Sequence, residues 1–216
     1  MSNRMFRDRD DAARQLARAL APWRGRHAVV YAIPRGAMPM AVVLAKELDA
    51  ELDVVLTHKL GAPGNPEYAI GAVAESGWRH VQQHGLGVGE DYVQRETAAQ
   101  LERLRERRRQ YGAPGVPATG RTAIVVDDGL ATGATMIAAL HALREQGPSH
   151  LICAVPVAAA DSLSRVRPLA DEVVCLHAPP DFYAVGQFYE HFEQVDDTQV
   201  IEALRAARQA ARPQPP

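Results

Sequence analysis

The strongest chemical pattern in the chain is a pair of adjacent acids followed by a turn of small and hydroxyl-bearing residues. Asp127 and Asp128 follow an apolar run and precede Thr132, Gly133 and Thr135. Backbone N–H groups at such a turn, with the start of a following helix, form an anion site, and glycine lets the main chain approach a phosphate. Carboxylates suit sugar hydroxyls instead, and they can hold magnesium through water. The pattern therefore predicts a site for a ribose 5-phosphate.

Alternating apolar strands and amphipathic helices predict the framework around this loop. The run 122–126 is read as a strand that brings the acids to the carboxyl edge of a sheet, where open α/β folds bind ligands. Further strands are predicted at 27–33, 53–57, 151–157 and 172–176, and helices at 9–23, around 40–48, 90–110, 136–143, 161–166 and 199–208. This order predicts an α/β fold: a doubly wound, mainly parallel sheet of about five strands with helices on both faces.

The length of the chain fits a single domain over residues 1–216. We expect a core over 25–178, a small terminal hood over 179–208 and a frayed tail over 209–216. Between the main elements, residues 58–68 are dense in glycine and proline and are predicted to be an exposed, mobile loop. Residues 69–74 and 78–84 are read as additional strands, the second one weak, and 111–120 as a connector.

Composition excludes several classes of protein. A formal charge of −2 argues against a nucleic-acid coat, and the arginines at the end of the 90–110 helix are read as a solvated helix end. Cys153 and Cys175 are too few for a disulfide framework and are expected to be buried free thiols. The first ten residues have no apolar stretch for a signal peptide, and no run in the chain could span a bilayer. A cytoplasmic location is expected.

Residues 124–135 (IVVDDGLATGAT) resemble the signature of the type I phosphoribosyltransferases over 12 consecutive positions. A Walker loop is a poorer match, because Gly133 is followed by Ala134 rather than lysine. The resemblance implies that a 5-phosphoribosyl group passes from phosphoribosyl pyrophosphate to a nitrogenous base, with Mg²⁺ as cofactor and release of pyrophosphate. It makes Asp127 and Asp128 the catalytic acids, which orient the ribose and hold Mg²⁺ through water. The loop for the 5′-phosphate would comprise Gly129, Leu130, Ala131, Thr132, Gly133, Ala134 and Thr135.

The resemblance also implies a site for the leaving pyrophosphate. Family members carry a pyrophosphate loop at the first strand-to-helix turn, where this chain has Arg35, Gly36 and Ala37. A guanidinium suits phosphate oxygens, and Gly36 frees the backbone. Lys59 precedes the loop that in the family folds over the reaction centre, and it is the second candidate ligand of pyrophosphate. The alternative is that Lys59 is an ordinary surface lysine.

The acceptor side is less defined. Hypoxanthine–guanine enzymes of the family carry an aspartate at the position of Ala131, so the resemblance argues against that activity. The residues 130–133 (LATG) are closer to those of adenine-type enzymes, while the whole chain more closely resembles stand-alone family proteins without an assigned acceptor. The resemblance suggests a base-binding hood, with Phe182, Tyr183, Phe188 and Tyr189 as its candidate residues. The alternative for these aromatic residues is a small satellite core that fastens the C-terminal segment.

Two classes of function remain open at this stage. The leading one is a phosphoribosyltransferase of nucleotide salvage, with phosphoribosyl pyrophosphate and a purine or pyrimidine base as its small-molecule partners. The other is a regulatory protein that keeps the fold and senses phosphoribosyl pyrophosphate or a nucleotide. Neither a membrane nor a nucleic acid is an expected partner, and the resembling family commonly forms homodimers.

Overall fold

The structure is a computed structural model that describes residues 4–81, 88–112 and 114–210. Its main sheet has five parallel strands, as predicted. The strands are β1 (Val29–Ala32), β2 (Glu51–Val54), β6 (Thr122–Val126), β7 (His150–Val157) and β8 (Glu172–His177). The inner strands β1 and β6 are buried along their whole length, which explains their unbroken apolar runs.

Helices cover both faces of this sheet, which confirms the doubly wound arrangement. The helices are α1 (Arg9–Ala19), α2 (Met38–Leu48), α3 (Glu90–Gln110), α4 (Ala134–Arg144), α5 (Ala160–Val166) and α6 (Asp197–Ala210). Side chains that alternate along β1 and β6 divide between two apolar clusters: one with α1, α2 and α6, the other with α4 and α5. Each strand therefore presents one face to each layer of helices.

The segment predicted to be a mobile loop is instead part of a second sheet, so that prediction was wrong. An antiparallel sheet contains β3 (Thr57–Ala62), β4 (Asn65–Ala74) and β5 (Arg79–Val81). Leu60 and Ile70 are buried, which anchors its first hairpin. Two glycines of this segment are required by the local geometry of the sheet. Gly64 takes a positive φ in the turn, and a side chain on Gly71 would collide with the His80 carbonyl. We call β3–β5 the hairpin sheet.

Other predicted bounds shift by a few residues. The strand predicted at 53–57 is divided between the end of β2 and the start of β3. The opening helix ends at Ala19, and a separate 3-10 turn spans Ala21–Trp23. The weak strand predicted at 78–84 is present as β5, while its residues 82–84 lie outside the described part of the chain, as do residues 211–216 of the expected tail.

One arginine of the predicted solvated helix end is buried. Arg109 is exposed and pairs with Glu106 at 2.6 Å, as expected for a helix surface. Arg108, however, donates to Asp53 of β2 at 2.9 Å and to the Glu75 carboxylate beyond β4, and its side chain is only 14% exposed. The prediction was wrong for Arg108 because its partners are 33 and 55 residues away along the chain, beyond any local pattern.

Candidate functional site

The acidic pair lies where β6 ends, at the carboxyl edge of the main sheet. The Asp128 N–H donates to Asp127 Oδ1 at 2.9 Å, which fixes the two residues relative to each other. The hydroxyl of Tyr189 donates to the Asp128 carbonyl at 2.7 Å. A Cβ on Gly129 would lie 2.6 Å from a methyl group of Val185, so only glycine fits there. The strand, the glycine and the C-terminal segment together hold the carboxylates in place.

Burial dominates the electrostatics of the pair. Desolvation raises the pKa of Asp127 well above its usual value, and the nearby Asp128 raises it further. Desolvation also raises the pKa of Asp128, but the guanidinium of Arg9 opposes this shift. Arg9 Nη2 lies 2.8 Å and Nε 3.1 Å from Asp128 Oδ2. Asp128 therefore has a cationic partner, and Asp127 is the acid that burial disfavours most in its charged form.

The turn after the acids has the backbone geometry of an anion site. Gly133 has a φ of 74° and is the N-cap of α4. The carbonyls of Ala131 and Thr132 accept hydrogen bonds from Ser162 and Arg165 of α5. In the described part of the chain, the N–H groups of residues 132–135 have no acceptor. These free donors at a helix start are what an anionic phosphate requires.

The other residues of this turn differ in how far they are buried. Leu130 is buried and forms a bridge with Ala158 that joins the turn to the end of β7. Ala131 and Thr132 are exposed, whereas Ala134 and Thr135 are half-buried at the first turn of α4. The exposed and half-buried positions border the free N–H groups, so a ligand can reach them.

The first strand-to-helix turn touches the acidic pair. A Cβ on Gly36 would lie 2.5 Å from Asp128 Oδ2, so the absence of a side chain is required here. Ala37 is the N-cap of α2, and the peptide bond between Pro34 and Arg35 is cis. Arg35 is half-exposed, and its Nη1 lies 3.5 Å from Asp197 Oδ2 at the start of α6. The two turns proposed to bind anions are thus adjacent.

Lys59 lies in β3, opposite Ala72 of β4, and its side chain is exposed. It therefore belongs to a strand of the hairpin sheet, rather than to a position just before a mobile loop as the sequence suggested. Within the described residues it forms no ion pair and no contact with the acidic pair. Its place on an exposed strand leaves it free to contact an anionic ligand.

The four aromatic hood candidates occupy different environments. Phe188 and Tyr189 are buried, and Phe182 packs on Phe188 with ring centroids 5.1 Å apart. Tyr189 also packs against Phe6 at 5.3 Å. Tyr183 is 87% exposed. Most of this cluster packs the segment 182–189 against itself and against the N-terminal residue Phe6. Tyr183 is the member whose ring is exposed to a ligand.

Sequence reasoning missed Arg9. It is the first residue of α1, which the sequence identified only as an amphipathic helix. Its partner Asp128 lies 119 residues further along the chain, so no local spacing could connect them. An arginine at the start of a helix is unusual, because the helix dipole disfavours a cation there; this was the one available signal.

Among the residues that the structure describes, no cluster of three or more His, Cys, Asp or Glu side chains is arranged to hold a metal ion. None of the described helices combines the length and apolarity needed to cross a membrane. Cys153 and Cys175 are free thiols, the first buried and the second half-buried, and burial raises the pKa of both.

The chain is similar to known proteins over most of its length. The family model described as the phosphoribosyl transferase domain matches residues 3–193, so the chain belongs to this family. A protein of Mycobacterium tuberculosis (strain ATCC 25618 / H37Rv), named as a candidate phosphoribosyl transferase, is 43% identical over 210 residues. That match covers 94% of this chain and 47% of the relative, so the chain spans about half the length of the curated relatives it matches.

A solved structure is also similar along nearly the whole chain. The crystal structure of TT1426 from Thermus thermophilus superposes with a TM-score of 0.79 and is 43% identical in sequence. The match covers 92% of this chain and 97% of that protein. The family assignment confirms the resemblance carried by residues 124–135.

Proposed function

We propose that this protein transfers the 5-phosphoribosyl group of phosphoribosyl pyrophosphate to a nitrogenous base and releases pyrophosphate. The observation that carries the proposal is one loop with two functions. Asp127 and Asp128 offer carboxylate oxygens for ribose hydroxyls, and the free N–H groups of residues 132–135 offer donors for the 5′-phosphate. A ribose 5-phosphate matches both halves of this loop.

The pyrophosphate turn supports the same ligand. Gly36 is close to Asp128 Oδ2, so an anion bound at residues 35–37 would adjoin a sugar bound at the acids. Arg35 would leave its pairing with Asp197 to contact the pyrophosphate, since that ion pair is half-exposed and weak. Lys59 would approach from the hairpin sheet. Both cations would favour the departure of the anionic leaving group.

The acids would act on the sugar. As the bond at C1 of the ribose breaks, positive charge develops on the ring, and an adjacent carboxylate stabilises that charge. Asp127 must be ionised to do so, while its burial in the free protein favours the protonated form. Donation from ribose hydroxyls would favour the carboxylate again. Binding and ionisation are therefore expected to be coupled.

Magnesium would bind at this site together with the ligand rather than to the protein alone. Asp127 and Asp128 are two oxygen donors, but Asp128 Oδ2 already pairs with Arg9. The pair would hold Mg²⁺ through water, and bound Mg²⁺ supplies charge neutralisation to the pyrophosphate. The phosphate oxygens of the ligand would supply the remaining coordination.

The acceptor is proposed to be a purine or pyrimidine base that stacks near the exposed ring of Tyr183. Ala131 has no carboxylate with which to bind a purine ring nitrogen, so hypoxanthine and guanine are disfavoured. A role in nucleotide salvage would follow from such an activity.

The test is a panel of purine and pyrimidine bases with phosphoribosyl pyrophosphate and Mg²⁺, in which released pyrophosphate is measured. We expect at least one base to support turnover, and the combined Asp127→Asn, Asp128→Asn variant to reduce it at least about a hundredfold. Arg105→Ala is the control, because Arg105 is 61% exposed on α3 and should not affect turnover. Failure of every base would reject the enzyme, and tight binding of phosphoribosyl pyrophosphate or a nucleotide without turnover would favour the sensor.

A further inference from the structure

The guanidinium of Arg9 is held by groups from two distant parts of the chain, the loop at Asp128 and the segment 192–193. Two of its nitrogens donate to Asp128 Oδ2, at 2.8 and 3.1 Å. The third, Nη1, donates to the carbonyl of Glu193 at 2.7 Å. The ring of Phe192 lies under the guanidinium carbon at 3.8 Å. Every nitrogen therefore has an acceptor, and the aromatic face fixes the plane.

This pair differs from the surface ion pairs elsewhere in the described chain. The side chains of Arg9 and Asp128 are only 11% and 13% exposed, whereas Arg35 and Asp197 are about half-exposed. Low exposure strengthens the attraction and fixes the geometry. Both donors from Arg9 reach the same oxygen, Oδ2, and so leave Oδ1 of Asp128 available to another donor.

We propose that Arg9 is a positioning residue of the sugar-phosphate site: it fixes the Asp128 carboxylate as the acceptor of a ribose hydroxyl and couples it to the C-terminal segment through Phe192 and Glu193. The inference rests on the proposed function, because it needs a sugar at the acidic pair. It assigns different tasks to the two acids. Asp128 is oriented by Arg9 before the ligand arrives, whereas Asp127 accepts the N–H of Asp128 and has no such fork on its carboxylate in the described part of the chain.

The charges around the pair support this division. The groups that face Asp128 are Arg9 from α1, Asp127 from its own loop and the Tyr189 hydroxyl, which donates to the backbone. The pyrophosphate turn meets it with the backbone of Gly36. Arg9 is the cation among these groups. Its removal would leave the Asp128 carboxylate without the two hydrogen bonds that fix its orientation.

Calorimetric titration at pH 7 with phosphoribosyl pyrophosphate and Mg²⁺, without any acceptor, tests the role. Inorganic pyrophosphate with Mg²⁺ is the comparison ligand, because it has no ribose hydroxyl to donate to Asp128. Arg9→Gln is expected to weaken binding of phosphoribosyl pyrophosphate by about tenfold to a hundredfold. Its affinity for pyrophosphate should change by less than about threefold, whereas a merely structural loss would weaken the binding of both ligands.

Two matched variants separate positioning from folding. Arg9→Lys keeps the charge but loses the fork, so its affinity for phosphoribosyl pyrophosphate should fall while its affinity for pyrophosphate stays near that of the wild type. Phe192→Ala removes the ring under the guanidinium but keeps both hydrogen bonds from Arg9 to Asp128, so it should lower stability more than affinity. If Arg9→Gln does not fold, Arg9→Lys decides: an affinity for phosphoribosyl pyrophosphate equal to that of the wild type overturns the proposal. A folded Arg9→Gln with unchanged affinity, or with equal losses for the two ligands, overturns it as well. Failure of the wild type to bind would instead reject the proposed function.

Discussion

At the scale of single residues, the site places two acids in environments that oppose their ionisation to different degrees. Asp128 is stabilised as a carboxylate by Arg9, while Asp127 has the Asp128 N–H as its hydrogen-bond donor. Local spacing was enough to identify both acids and the turn at Gly133, because strand, turn and helix are consecutive in the sequence. Arg9 could not be found in that way, because the contact joins two distant parts of the chain.

Asp127→Asn is expected to stabilise the free protein at neutral pH by roughly 1–3 kcal/mol, because the variant no longer buries a poorly compensated charge. The pKa of Asp127 in the folded protein is raised above its unfolded-state pKa of about 3.9. The contribution of Asp127 to the free energy of unfolding is therefore fully present below the unfolded-state pKa, and it is lost as the pH rises through the folded-state pKa. The advantage of asparagine should therefore be small near pH 4 and grow toward pH 7. Denaturant titrations at several pH values measure it.

The control for this prediction is Asp181→Asn, because Asp181 is exposed and the free energy of unfolding should change by less than about 0.5 kcal/mol. An Asp127→Asn variant that is less stable than the wild type at pH 7 would contradict the account. So would a difference in stability that does not depend on pH.

At the scale of elements, the end of α3 ties the hairpin sheet to the main sheet. Arg108 donates to Asp53 at 2.9 Å, to Glu75 at 2.8 Å and to the carbonyl of Val54 at 2.8 Å. Asp53 Oδ2 also accepts from the Val116 N–H at 2.7 Å. The sequence predicted α3 with its observed bounds, and it predicted strands within β4 and β5. It could not show the connection through Arg108, and glycine and proline concealed β3 and the start of β4.

Arg108→Met is expected to lower the free energy of unfolding by about 3–5 kcal/mol, because it leaves the buried Asp53 carboxylate without its cation. Arg105→Met on the same helix should cost less than about 0.5 kcal/mol, since Arg105 is 61% exposed. Guanidinium denaturation compares the two variants. Hydrogen exchange should show faster exchange in β3–β5 for Arg108→Met alone, and equal costs for the two variants would refute the tie.

At the scale of the whole molecule, residues 5–6 pair with the segment 188–190 beside the site. The N–H groups of Met5 and Phe6 donate to the carbonyl of Phe188 at 2.8 and 3.0 Å, and the Glu190 N–H donates to the carbonyl of Phe6 at 2.9 Å. The Tyr189 hydroxyl then reaches the Asp128 carbonyl. The repeated strand–helix order was enough to predict the parallel sheet, but this pairing joins residues about 180 positions apart, which no sequence pattern specifies.

Phe6→Ala tests whether the pairing of residues 5–6 with the segment 188–190 supports the site. Phe6 is 1% exposed, so truncation should cost about 3–5 kcal/mol of stability. Because Phe6 packs on Tyr189 and lies three residues before Arg9, we also expect weaker binding of phosphoribosyl pyrophosphate, measured well below the unfolding temperature. Val42→Ala, at a side chain 40% exposed on α2, is the control for both measurements. A large loss of stability with unchanged affinity would mean that this pairing stabilises the fold but does not support the site. A loss of stability under about 1 kcal/mol would contradict the packing argument.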